Sequence, residues 1–98
     1  MPRAGFLITP PAPLGRGEAL VEALVFMVVE PQAVTEIPKK LKDMKEVKAI
    51  YEVTGDYDFV IMMEGESYSD IAKTLREKIL KIPGVVRTTT SFIVAKHK

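Results

Sequence analysis

The residues with the greatest chemical reach in this chain are Asp56 and Asp58. They flank Tyr57 and follow Gly55 in the stretch Tyr51 to Glu64, Y-E-V-T-G-D-Y-D-F-V-I-M-M-E. Glycine supplies the positive φ that a tight turn needs. The two aspartates put acceptor-only side chains at the tip. Carboxylates beside exposed backbone N–H groups can hold both ends of a zwitterion, the carboxylates accepting from an ammonium and the N–H groups donating to a carboxylate. The same residues also have a plain structural role, since turn aspartates often bond the turn's own backbone. Gly55, Asp56, Tyr57 and Asp58 are thus the first candidate ligand-binding residues, with Tyr57 as a pocket wall.

A second candidate group is Arg87-Thr88-Thr89-Thr90-Ser91. Threonine favours strands and commonly lines solvated faces. Thr88 and Thr90 share a face with Phe92 and Val94, however. Hydroxyls in an apolar row that faces an interface need partners, because buried polar groups without them are unfavourable. A small polar ligand between subunits would serve, as would each other or water. The remaining candidates are few. His97, the only histidine, lies between Lys96 and Lys98 and reads as a solvated tail residue. No metal-ligand spacing or cation-loop pattern occurs. The chain has no cysteine, which excludes disulfides, thiolate metal sites and a cysteine nucleophile. No catalytic residue, metal or cofactor is assigned.

These residues need a scaffold. Ninety-eight residues allow one domain, and 47% hydrophobic with 28% charged residues fits a soluble globular protein. A formal net charge of +1 is too near neutral for a nucleic-acid footprint. Residues 1–19 hold Gly5, Pro10, Pro11, Pro13, Gly15 and Gly17 and read as an extended N-terminal arm, loose or ordered against a neighbouring subunit. The apolar run Phe6-Leu7-Ile8 in that arm is too short for a signal-peptide core or a membrane span. The expectation is a cytoplasmic protein.

Leu20 to Val29 is valine-rich and closed by Pro31, which predicts a strand. Val34, Ile37, Leu41 and Met44 recur at helical spacing. Pro38 either kinks an early-starting helix or sits in the first turn of one capped by Thr35. Val47 to Thr54 and Phe59 to Glu64 are strands. Ser67 to Asp70 offers a capping pattern for a helix with Ile71, Leu75, Ile79 and Ile82 on one face. Pro83-Gly84 ends it, and Val85 to Ala95 is the last strand. Residues 20–98 therefore form an α+β, ferredoxin-like βαββαβ domain, a four-stranded antiparallel sheet with both helices on one face.

The strands are apolar on both faces. Val21, Ala23, Val25, Met27 and Val29 alternate with Leu24, Phe26 and Val28; Phe59, Ile61 and Met63 alternate with Val60 and Met62. A half-exposed sheet should alternate with polar residues. A broad exposed apolar patch marks an interface, so the second face is expected to pack on another subunit, most simply as a two-fold dimer.

With V-E-A-L-V-F-M-V-V in the first strand, V-T-G-D-Y-D-F-V-I in the hairpin and P-G-V-V-R-T-T-T-S-F-I-V at the end, the chain resembles the effector-binding (RAM) domain of the Lrp/AsnC family, the feast/famine regulators. The resemblance covers about Leu20 to Lys96. It implies a domain that pairs through its sheets, dimers that assemble into octamers or similar rings, and amino acids bound in clefts between dimers. It places Gly55, Asp56, Tyr57 and Asp58 at the effector-contacting turn and Thr88 and Thr90 at strand positions that reach the ligand. Full-length members begin with a helix-turn-helix domain, and the residues before the first strand leave no room for one. The expectation is a stand-alone amino-acid-sensing oligomer in transcription regulation, able to assemble with full-length regulators, with no DNA-binding module of its own. A purely structural assembly module is the alternative. A dimeric ferredoxin-like enzyme would need a base or cofactor ligand in the sheet cleft, where the candidates are apolar. An RNA-recognition motif would need aromatics and glycine in its third strand, which Phe59 to Met63 does not provide.

Overall fold

The computed structural model describes residues 20–98; the expected arm, residues 1–19, lies outside the described residues. Four strands and two helices follow in the order β1 (Val21–Val29), α1 (Glu36–Leu41), β2 (Val47–Glu52), β3 (Phe59–Gly65), α2 (Tyr68–Thr74) and β4 (Val85–Phe92). A short 3₁₀ turn, Pro31–Ala33, precedes α1. The sheet order is β2-β3-β1-β4 with every neighbouring pair antiparallel. This is the ferredoxin-like arrangement expected, with each helix crossing over a strand of the sheet.

Pro38 is the third residue of α1, in the first turn, where a missing N–H does no harm. Thr35 precedes the helix as its cap residue, but its side chain makes no capping hydrogen bond. Ser67 does cap α2: its Oγ accepts from the Asp70 N–H at 3.0 Å. Beyond Thr74 the helix widens into a π-turn over Leu75–Ile79, with the Leu80 N–H donating to the Leu75 carbonyl at 2.8 Å.

The core lies between sheet and helices. Ala23, Val25, Met27, Phe59, Ile61 and Met63 from the two central strands meet Ile37 and Leu41 of α1 and Ile71, Leu75 and Ile79 from the second helical segment. Burying one such side chain contributes about 1.5–3 kcal/mol, so the sheet's helix-facing rows and the helical stripes hold each other in place. The opposite rows, Leu24, Phe26 and Val28 with Val60 and Met62, are half-buried within a single chain. Register aligns them: Leu24 pairs with Met62 and Phe26 with Val60. The outer face therefore presents a continuous apolar stripe over β1 and β3, extended onto β2 by Tyr51, which pairs with Val60 and is 56% exposed.

Candidate functional site

The β2–β3 connection spans residues 53–58, longer than the tight turn expected. The Val53 N–H donates to the Asp58 carbonyl at 2.9 Å and closes its base. Gly55 at the tip has φ +105° and open space where a Cβ would stand. The conformation of the backbone, not crowding, selects glycine there.

Asp58 is fixed from both ends. Its N–H donates to the Met27 carbonyl at 2.8 Å, and its Oδ2 accepts from the Val29 N–H at 2.9 Å. The carboxylate thus takes over where the β1–β3 ladder runs out, satisfying a backbone donor that the strand end would leave unpaired. Asp56, two residues earlier, is exposed, and among the described residues no hydrogen bond or ion pair engages its side chain. Tyr57 turns onto the outer sheet face, its ring 5.4 Å from that of Phe26 at an interplanar angle of 51°. The two aspartates are therefore unequal. One anchors the loop and the other is presented by it.

Thr88 and Thr90 sit elsewhere than their expected orientation. They pair with Met27 and Val25, whose side chains are buried under the helices, so both threonines face the helix side of the edge strand β4. It is Arg87, Thr89 and Ser91 that join Val28, Phe26 and Leu24 on the outer face. The expectation of a subunit-facing Thr88–Thr90 row through the open sheet face is corrected accordingly. Phe92, on the same side as the two threonines, packs edge-on against Tyr68 at 4.7 Å. Thr88 nevertheless lies in one row with Met27 and Phe59, two strands from the hairpin base or roughly 10 Å across the sheet.

A second constellation escaped the sequence reading. The charged residues of the 45–48 segment and of α2 converge on a groove of about 770 Å³ at the other end of β3. There Glu46 Oε2 accepts from Lys78 Nζ at 3.5 Å and Glu64 pairs with Lys48 at 3.8 Å. Burial alone would raise the Glu46 carboxyl; a hydrogen bond from its own backbone N–H and the Lys78 and Lys45 ammoniums oppose this and hold it below its ordinary value of 4.5. The signal available in sequence was only an interleaving of lysine and acid, which reads as a solvated helix face. Among the described residues no cluster of three or more histidine, cysteine or acidic residues could hold a metal ion, and no helix is long and apolar enough to cross a membrane.

A four-stranded antiparallel sheet with helices on one side, an apolar outer face and a β2–β3 loop pinned at its base defines a ferredoxin-like domain. The sequence profile of the Lrp/AsnC ligand binding domain matches residues 22–98, and the chain belongs to that family. It is 37% identical over 75 residues to the HTH-type transcriptional regulator LysM of Saccharolobus solfataricus, covering 76% of this chain and 52% of that protein. The chain spans about half the length of the curated relatives it matches. Among solved structures, that of FFRP-DM1 is 34% identical with a TM-score of 0.72, over 76% of this chain and 99% of that one. The transcriptional regulator NMB0573 of Neisseria meningitidis, solved as an L-methionine complex, shares the fold with a TM-score of 0.78 at 16% identity, over 90% of this chain and 60% of that one.

Proposed function

We propose that this domain is an amino-acid-sensing regulatory module whose effector is gripped at the hairpin tip. The observation that carries the reading is the division of labour between Asp58, which ties the loop to β1, and Asp56, which the loop holds out unpaired. An unengaged carboxylate on a loop anchored at its base can take an ammonium without first giving up a bond. Family membership supports it, as does the L-methionine held by NMB0573, a protein of the same fold. Gly55 and Tyr57 shape the site around Asp56.

The outer sheet face is covered by a second copy in a two-fold dimer, because a half-buried apolar stripe over three strands is more than a free surface carries. Thr88 and Thr90 face away from that interface. They reach effector where the β4 edge of one dimer meets the hairpin of the next, which gives higher assemblies such as an octamer a role in binding. Assembly with full-length regulators through the same contacts would carry the signal to transcription.

The test is a thermal-shift panel of the amino acids with molar mass measured alongside. A ligand at a hundred times its Kd adds about 2.7 kcal/mol of stability. One or more amino acids raise Tm, and Asp56→Ala removes the rise while leaving the unliganded Tm in place. A folded oligomer that answers no amino acid would favour the purely structural assembly module.

A further inference from the structure

The loop that presents Asp56 also reaches the outer face of the sheet. Tyr57 is half-buried, and its ring lies 5.4 Å from that of Phe26. Phe26 stands in the outer row, because its neighbours Val25 and Met27 are fully buried on the helix side. Val60 pairs with Phe26 on one side and with the exposed Tyr51 on the other. Phe26, Tyr51 and Tyr57 thus give the hairpin end of the apolar stripe an aromatic character. Farther along, Leu24 and Met62 continue it with aliphatic side chains.

Two backbone hydrogen bonds close the loop, from the Val53 N–H to the Asp58 carbonyl and from the Asp58 N–H to the Met27 carbonyl. Tyr57 adjoins Asp58, so a loop that lifts off β1 also withdraws its ring from Phe26. A surface laid over that ring opposes the lifting, because local opening must then expose it as well. The rings are continuous with the stripe, so the surface that covers the stripe covers them too, and buried aromatics carry much of a contact's binding energy. We infer that the effector loop is itself part of the subunit contact: a second copy, paired through the outer sheet face, covers Tyr57 against Phe26, and the loop opens less readily in the pair than in the single chain. This rests on the sheet-face pairing proposed above and not on an amino acid binding at Asp56. Linkage makes it reciprocal, since whatever holds the loop closed also favours pairing.

Sedimentation equilibrium on the full chain gives the dissociation constant of the pair. Tyr57→Ala should raise it about tenfold or more, and Tyr57→Phe, which keeps the ring, should leave it within about twofold. Hydrogen exchange reads the loop. Met62→Lys charges the stripe opposite Leu24, away from the rings, and should yield single chains. In that variant the Val53 and Asp58 amides should exchange about tenfold faster than in wild type, beyond any change at the Val25 amide, which reports opening of the whole domain. If Met62→Lys still pairs, diluting the wild type through its dissociation constant makes the same comparison. Should Tyr57→Ala disturb the fold, the exchange comparison, which leaves Tyr57 in place, decides alone. A dissociation constant unmoved by Tyr57→Ala, or loop exchange equal in pair and single chain, would overturn this inference and leave the sheet-face pair standing. A wild type that is a single chain at every concentration would overturn both.

Discussion

The Asp58 carboxylate accepts the backbone N–H of Val29 at 2.9 Å across 29 residues of sequence. That contact joins the loop between β2 and β3 to the end of β1, and it converts a connection that could sway into one with a set direction. The same residue's N–H is held by Met27, so the loop base is pinned on both the backbone and side-chain sides.

Removing this anchor should be felt throughout the domain. Asp58→Ala leaves the part-buried Val29 donor unpaired and is expected to destabilise by about 1.5–3 kcal/mol. Asp56→Ala, at an exposed and unengaged position, should stay within about 0.5 kcal/mol. Urea denaturation of the two variants measures the difference, and equal midpoints would contradict the division of labour between them.

The outer face offers a separate test. Val60→Lys places a charge in the middle of the apolar stripe, opposite Phe26, without touching the helix-covered core. Light scattering should show the mass fall to a single chain while circular dichroism keeps its strand signal. A mass that does not change would rule out this face as the subunit contact.

The two positive-φ glycines separate conformational strain from crowding. Gly55 at φ +105° has free space around it, so Gly55→Ala should lose about 1–2 kcal/mol from backbone strain alone. Gly84 at φ +97° has the Ala33 Cβ only 2.3 Å from where its own would be, and its carbonyl accepts from the Glu30 N–H at 2.8 Å. Gly84→Ala must therefore displace the β1–α1 turn as well. Thermal unfolding should rank it clearly below Gly55→Ala.

Acid stability carries the signature of Glu46. Its folded-state value lies below 4.5, so its contribution is fully present above the unfolded value and is lost as pH falls through the folded one. Denaturant midpoints followed from about pH 6 to about pH 3 should decline, and Glu46→Gln should flatten that decline. An unaltered slope in the variant would place the acid sensitivity elsewhere.

Much of the architecture was legible in the sequence. The valine-rich run Leu20 to Val29, closed by Pro31, and the run Phe59 to Glu64 were legible as strands, and the period of two in a pleated strand sorted their side chains into two apolar rows. The Ile71, Leu75, Ile79 spacing identified the second helical segment, although the π-turn within it left no mark in the pattern. Pro38 was ambiguous because proline is tolerated in a first turn and disruptive later, and only the start of α1 at Glu36 decides which applies.

The sequence by itself determined which residues share a row and that the sheet has two apolar sides. Periodicity is local, and one strand's neighbours along the chain suffice to establish it. Tertiary structure decided which row each side received. Thr88 and Thr90 went to the helix side because they stand opposite Met27 and Val25, in a register that shifts between Val28 and Val29. It also decided that Asp58 anchors while Asp56 is free, and that Lys78 reaches Glu46 across 32 residues of sequence. Those outcomes depend on pairings between residues far apart in sequence, and a one-residue slip in any of them would have reversed the assignment.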